Sequence, residues 1–204
     1  MNNAQHFWNT MFANEEEYLY GTQPNAYIQM QTHRLKPNSR ILCLAEGEGR
    51  NALHLAQLGH TISSIDASSV ALQKQKRLLQ SHGYTIDALH QDLEHWQPQP
   101  HAFDAIATSF MHLPKPLLSK VLQHSVVTLK SDALFIGEFF SIKQLGYSSG
   151  GPKDSQKLYT IEDFAHYQEG IEFIELKEEI VHLSEGKGHQ GEASVIRVLF
   201  KKLG

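Results

Sequence analysis

The chain has 204 residues, 41% of them hydrophobic and 20% charged, a composition that fits one globular domain with a sizeable core. A formal net charge of −4, with lysines and arginines scattered rather than striped, argues against a nucleic-acid partner. No apolar run reaches the ~20 residues that span a bilayer, and the lone cysteine, Cys43, excludes a disulfide within the chain.

The first residues, MNNAQHFWNTMFANEEEY, lack the basic-then-apolar order of a secretory signal, so a cytoplasmic protein without a membrane partner is expected. Residues 1–38 read as a helical or lid-like segment ahead of a sheet core over 39–204, the whole making a single domain. Ile41–Ala45 is a continuous apolar run and suits a strand buried on both faces. Arg50–Leu58 carries apolar residues at helical spacing until Gly59 stops it. Thr61–Ile65 reads as a second strand ending at Asp66, and Ser68 or Ser69 caps a helix running to Gly83. Thr85–Leu89, Phe103–Phe110 and Ala133–Phe140 read as further strands, with a helix over Pro116–Leu129.

That alternation predicts an α/β fold, Rossmann-like and doubly wound, with a mostly parallel sheet and helices on both faces. Residues 141–158 are rich in glycine and serine and read as a polar functional loop, followed by a short helix over Ile161–Tyr167. Phe173–Leu183 and Ala193–Lys201 are β-rich with only SEGKGHQGE between them. They are expected to close a seven-stranded sheet as an antiparallel hairpin. The thirteen histidines form no HxxxH or His/Cys cluster, and no metal site is expected.

The stretch ILCLAEGEGRNA (41–52) carries the chemistry. Gly47-x-Gly49-x-x-Ala52 matches the outline of a dinucleotide loop, with Asp66 near the right distance to hold ribose hydroxyls. A pyrophosphate, however, rests on a helix N-terminus because amides and dipole favour negative charge there. Glu46 and Glu48 oppose that, since like charges 4 Å apart repel by ~4 kcal/mol at an effective dielectric of ~20. S-adenosylmethionine contains adenosine without phosphate, and its sulfonium and ammonium groups are positive. Glu46, Asp66, Asp92 and Ser109 are expected to converge at the C-terminal strand ends, with Asp92 placed for the adenine amino group.

The sequence resembles the class I S-adenosylmethionine-dependent methyltransferases, and within them a tellurite-resistance methyltransferase-like group whose loop reads LAEGEGRN. The similarity runs through YGTQPNAYI (20–28), CLAEGEGRNA (43–52), QDLEHW (91–96), FMHLP (110–114), SSGGPKD (148–154) and EGKGHQG (185–191). Cys43 replaces the acid usual in the first strand, Ala45 replaces the first loop glycine, and Glu46 is left to take the acid's place. The resemblance implies a cofactor set that adds Tyr20, Ala45, Gly47 and Gly49 to the strand-end residues. It adds Asn51, Ala67 and Leu93 as well, and it implies that the tyrosine-bearing segment around Tyr20 is a lid.

For chemistry it implies His189 and Arg197, a pair handling an oxyanion in related proteins, although Gln190 stands where those carry a second arginine. An ion pair of Arg197 with Glu178, Glu179 or Glu185 is the competing reading. His112 follows the fourth strand, where acceptor-facing groups are common, and a loop histidine bonding backbone is its alternative. The expected activity is methyl transfer to a small-molecule soft nucleophile: a thiol, a selenium or tellurium oxyanion, or a xenobiotic. A homodimer is compatible with it. An NAD(P)-dependent oxidoreductase and a non-enzymatic cofactor-binding protein of the same fold are the competing functions.

Overall fold

A computed structural model describes residues 3–13, 18–166 and 169–204. Two helices, α1 (Asn3–Ala13) and α2 (Ala26–Gln31), precede the sheet. Strands β1 (Arg40–Leu44), β2 (Thr61–Asp66), β3 (Asp87–His90), β4 (Phe103–Ser109) and β5 (Leu129–Phe140) follow. They are joined through α3 (Arg50–Gln57), α4 (Ser69–Ser81) and α5 (Lys115–Thr128). A single-turn helix, α6 (Glu162–Ala165), leads into the hairpin β6 (Ile171–Glu185) and β7 (His189–Lys202). The seven strands form one sheet in the order β3-β2-β1-β4-β5-β7-β6. The first five run parallel, and β7 lies antiparallel between β5 and β6. The expected doubly wound sheet with a C-terminal hairpin is therefore what the chain forms.

The continuous apolar run of β1 has a physical reason. Side chains alternate across a strand, and here Leu42 and Leu44 enter the core under α5 while Ile41 and Cys43 enter the core under α2, α3 and α4. Cys43 is fully buried, and burial raises its thiol pKa well above the ordinary value, so it is packing rather than a nucleophile. Ser68 caps α4 by accepting the Ala71 N–H at 3.1 Å, and Gly59 ends α3 at φ 87°. No described helix is long and apolar enough to cross a membrane.

Four expectations shift. β5 begins at Leu129 rather than Ala133, because buried Leu129 pairs with Phe103 across an irregular stretch of the ladder. Residues 141–158 are not a wholly external loop. They form short 3-10 turns at 142–146 and 155–157, and buried Gln144 donates to Ser149 and Gly150 while accepting the Ser194 N–H. The helix expected over Ile161–Tyr167 covers Glu162–Ala165, and Tyr167 lies outside the described residues, as do Glu15, Glu16 and Glu17 of the expected lid. The hairpin turn is shorter than SEGKGHQGE: it occupies 186–188, so His189 starts β7, paired with Glu185, instead of lying in the turn.

That tight turn also ties down the N-terminal segment. The Lys187 and Gly188 N–H groups donate to the Leu19 carbonyl at 2.9 and 3.1 Å. A side chain at Gly188 would run into the Tyr20 ring, so the glycine allows the close approach.

Candidate active site

The sheet order reverses at β1, with β2 on one side and β4 on the other, and a crevice opens beyond the C-terminal strand ends. Ala45, Glu46 and Gly47 after β1 line it, as do Asp66 and Ala67 after β2 and Asp92 and Leu93 after β3. Beyond β4 the wall runs from Ser109 to Leu113. Trp8 and Phe12 of α1, together with Tyr20 and His189, complete the enclosure.

The turn after β1 is built from left-handed residues: Ala45 (φ 48°), Gly47 (φ 64°) and Gly49 (φ 98°). Ala45 holds this conformation without glycine's freedom, and its N–H donates to the Ile65 carbonyl at 2.9 Å. Asp66 locks the turn, since one carboxylate oxygen accepts the Gly47 N–H and the other the Ser68 N–H, both at 2.8 Å. Burial raises the Asp66 pKa despite these bonds. Gly49 is not part of the lining. A Cβ there would sit 2.6 Å from Gln75 Cγ, so it serves the packing of the turn on α4.

The two loop glutamates have separate jobs. Glu46 Oε1 accepts the Ala52 N–H at 2.8 Å, which places a carboxylate on the N-terminal amides of α3. Burial pushes its pKa to about 7, against the pull of that N–H and of Arg50. Asn51 supports it from outside the lining, with Nδ2 donating to Ser109 at 3.1 Å and to Glu46 at 3.4 Å. Glu48, in contrast, does not face the cleft. It accepts the Leu19 N–H at 2.7 Å and pairs with Lys74 at 2.7 Å. The expectation that both acids stand uncompensated against the ligand is thus corrected: Lys74, distant in sequence, neutralises Glu48.

Arg50, the only cation near the loop in the sequence, was expected to play no part in the site, and the structure gives it one. It is buried in the cleft wall, its Nη2 pairs with Glu185 at 2.9 Å, and its Nη1 has no partner. Glu185 is the hub of a buried network, taking also the His189 Nδ1–H at 2.9 Å and the Asn25 Nδ2–H at 3.1 Å. Burial alone would raise the Glu185 pKa, but the His189 bond and the Arg50 charge outweigh it and hold the carboxyl at about 2. His189 is itself lowered, by burial first, with Arg50 opposing the attraction of Glu185. It therefore sits neutral at pH 7, with Nδ1 as the donor. Its ring packs 4.4 Å from Tyr20 and 4.6 Å from Phe110, centroid to centroid. Burial pushes the Tyr20 hydroxyl up to about 12, so it stays protonated.

His112 lies where the strand-end position predicted. Its Nε2 is enclosed and has no hydrogen-bond partner. Burial, with His189 and Lys157 nearby, holds its pKa near 3. Phe110 beside it adopts φ 53°, a strained conformation for a bulky residue, kept by its N–H donating to the Glu138 carbonyl at 2.7 Å.

Arg197 is not brought to the cleft. Its Nε donates to Glu138 at 2.8 Å, it also pairs with Glu179, and its guanidinium covers the Tyr27 ring at 4.8 Å. The competing ion-pair reading describes its place in the fold. Trp8 and Phe12 were missed because the turn of α1 that carries them lies far from the glycine loop. Their i, i+4 spacing was the available signal.

Residues 41–132, from β1 to the start of β5, match the model of the methyltransferase domain. The chain is an enzyme, and S-adenosylmethionine is its cofactor. Solved structures share the fold at low identity. One, from the conversion of a disulfide bond into a thioacetal group during echinomycin biosynthesis, is 15% identical. It covers 98% of this chain and 92% of its own, with a TM-score of 0.75. TehB from Haemophilus influenzae is 18% identical over 96% of this chain and 67% of its own, with a TM-score of 0.74. An S-adenosylmethionine-dependent methyltransferase from Clostridium acetobutylicum is 16% identical over 98% and 97%, with a TM-score of 0.66. No curated protein matches the sequence.

Proposed function

We propose that this enzyme transfers the methyl group of S-adenosylmethionine to a small-molecule soft nucleophile: a thiol, a selenium or tellurium oxyanion, or a xenobiotic. The observation that carries the reading is the Glu46 carboxylate on the Ala52 N–H. A helix N-terminus is where a dinucleotide's pyrophosphate would rest, and the Glu46 carboxyl group already occupies it. The unpartnered Nη1 of Arg50 supports the same cofactor, because a buried guanidinium nitrogen in the cleft wall fits the carboxylate of a bound amino acid.

Asp66 keeps free lone pairs beyond its two backbone bonds and would accept the ribose hydroxyls. Leu93 and Ala67 offer apolar surface to the adenine, with Asp92 at its amino edge. Glu46 would favour the positive end of the cofactor. When bound, S-adenosylmethionine supplies a methyl group on a sulfonium, an electrophile that a nucleophile displaces in line. The residues contribute alignment and exclusion of water. Tyr20, held by the hairpin turn, and Trp8 and Phe12 of α1 wall off the reacting end. Glu185 fixes His189 in one tautomer, and neither group is proposed to exchange a proton with solvent during the displacement.

Calorimetric titration with S-adenosylmethionine and with NADH tests the reading. Binding of the first alone is expected; binding of NADH without S-adenosylmethionine would end the proposal.

A further inference from the structure

On its Trp8, Tyr20 and His112 side the cleft continues. It opens into a second cavity, and the two share Trp8, Tyr20, Asp92, His112 and Leu113 in their walls. The additional lining of that groove is largely apolar: Phe7, Met11, Pro114, Leu117, Gly151 and Pro152. Its ionisable additions are Glu94 and Lys157. The wall between the cavities therefore has one buried polar atom without a partner, His112 Nε2, set among rings: Trp8 at 5.6 Å and Phe140 at 5.9 Å, centroid to centroid.

Two features bear on what this groove accepts. An oxyanion stripped of water needs cations or convergent N–H donors to replace its hydration. Arg197 is engaged by Glu138 and Glu179 outside the cleft, Arg50 carries Glu185 and turns its Nη1 to the cofactor side, and Lys157 lies 3.9 Å from Asp154, while Asp92 and Glu94 add negative charge along the groove. A flat apolar molecule meets the opposite situation, because rings and aliphatic side chains give up little on contact with it. An enclosed imidazole nitrogen lacking a partner costs free energy until a hydrogen-bonding group reaches it, and that group is a donor when the ring proton sits on Nδ1, the tautomer this inference takes for His112.

We infer that the methyl acceptor is an uncharged aromatic compound bearing one X–H group, with X the sulfur of a thiol or the oxygen of a phenol. Its ring lies in the groove beside Trp8, and its X–H donates to His112 Nε2. This inference rests on the methyl-transfer reading above. A lone pair of X forms the new bond to the methyl carbon while the carbon–sulfur bond of the donor breaks, its electron pair going to sulfur. The X–H proton passes to His112 Nε2 and from there to water. A histidine held weakly basic does not take that proton from the free acceptor. It does take it once X has shared its lone pair with carbon, when X–H becomes strongly acidic.

The test uses the full chain with S-adenosylhomocysteine bound, titrated by fluorescence at a pH where both X–H probes are protonated. The probes are 2-naphthalenethiol, 2-naphthol and their S- and O-methylated counterparts. At least one X–H probe is expected to bind about tenfold more tightly than its methylated form, since a site with an enclosed acceptor rejects a ligand that cannot donate. His112→Phe is expected to bring that ratio to about one, and His112→Gln, which keeps an acceptor, to restore part of it. Loss of ring packing would weaken both members of a pair equally, so the ratio reads the hydrogen bond. In a radiolabelled methyl-donor assay the arm that takes up label identifies X.

Equal binding of the X–H and methylated probes, an unchanged ratio in His112→Phe, or label passing to selenite but to neither naphthyl probe would overturn the inference. Binding of the donor itself is measured separately by calorimetry. Its failure would remove the methyl-transfer reading, while the probe ratio, measured then on the cofactor-free chain, would still report on His112.

Discussion

Replacing Glu185 by glutamine tests whether the buried network is held by charge. The Glu185 side chain is 9% exposed, and its carboxylate meets Arg50 at 2.9 Å and His189 at 2.9 Å. A carboxyl moved from 4.5 to about 2 on folding contributes about 3 kcal/mol, at about 1.36 kcal/mol for each pH unit of displacement. This agrees with the ~3–5 kcal/mol lost when one partner of a buried pair is removed and the other charge stays. In a protein of this size, thermal unfolding should fall by about 6–12 °C.

The sign sets the pH window. A carboxyl depressed in the folded state stabilises above its unfolded pKa, and that stabilisation is lost as pH falls through the folded value. The gap between wild type and Glu185→Gln should therefore be full at pH 7 and fall to about 2 kcal/mol near pH 3.5. Urea unfolding of both proteins across this range measures it, and contributions from carboxylates common to both cancel in the difference. A gap that stays constant from pH 7 to 3.5 would refute the reasoning, as would one below about 0.5 kcal/mol at pH 7, the size of a solvated surface pair.

Asp66→Ala removes the acceptor of two backbone N–H groups and, on the proposed reading, of the ribose hydroxyls, and calorimetry should show at least about a hundredfold weaker S-adenosylmethionine binding. Near-normal affinity would show that the ribose lies elsewhere. Because the Glu46 carboxyl sits at about 7, affinity for the cationic cofactor should fall as pH drops from 8 to 6, and Glu46→Gln should flatten that dependence. Gly49→Ala forces a side chain to φ 98° against Gln75, and denaturant unfolding should show a loss of about 1–3 kcal/mol. Tyr159 OH donates to the Leu113 carbonyl at 2.7 Å and accepts the Leu113 N–H at 2.9 Å, so it braces the segment that carries His112. Tyr159→Phe should lower kcat/KM for the acceptor while leaving the cofactor Kd within about twofold, because the cofactor strand ends are untouched.

Much of the sheet was legible because its signals are local. The run at Ile41–Leu44 announces a strand buried on both faces, and Ser68, Gly59 and Pro116 mark helix ends by their own backbone and side-chain chemistry. The strand-end acids were legible too, since strand order places them on one side of the sheet whatever the helices do. Arg50 was visible as the only cation near the loop, but its role depends on Glu185, far along the chain, and no local pattern couples the two. Glu48 was misread for the same reason, its partner Lys74 lying on the next helix. The resemblance implied that Arg197 and His189 act as a pair. The register of the hairpin separates them, holding His189 at the turn beside Tyr20 and Arg197 beside Glu138.

The sequence by itself determined the succession of strands and helices, the glycine turn and the preference for a cofactor without phosphate. Hydrophobic period, capping residues and an acid next to a helix start are properties of neighbouring residues. The tertiary structure decided which ions are neutralised, which histidine nitrogen is left unpartnered and where an apolar groove opens beside the cleft. Those depend on side chains brought together by the sheet, the folded-over N-terminal helix and the hairpin turn. In this fold the cleft at the strand ends is written along the chain, and the groove beside it is assembled from the N-terminal helix, the loop after β4, the segment around Gly151 and the hairpin turn.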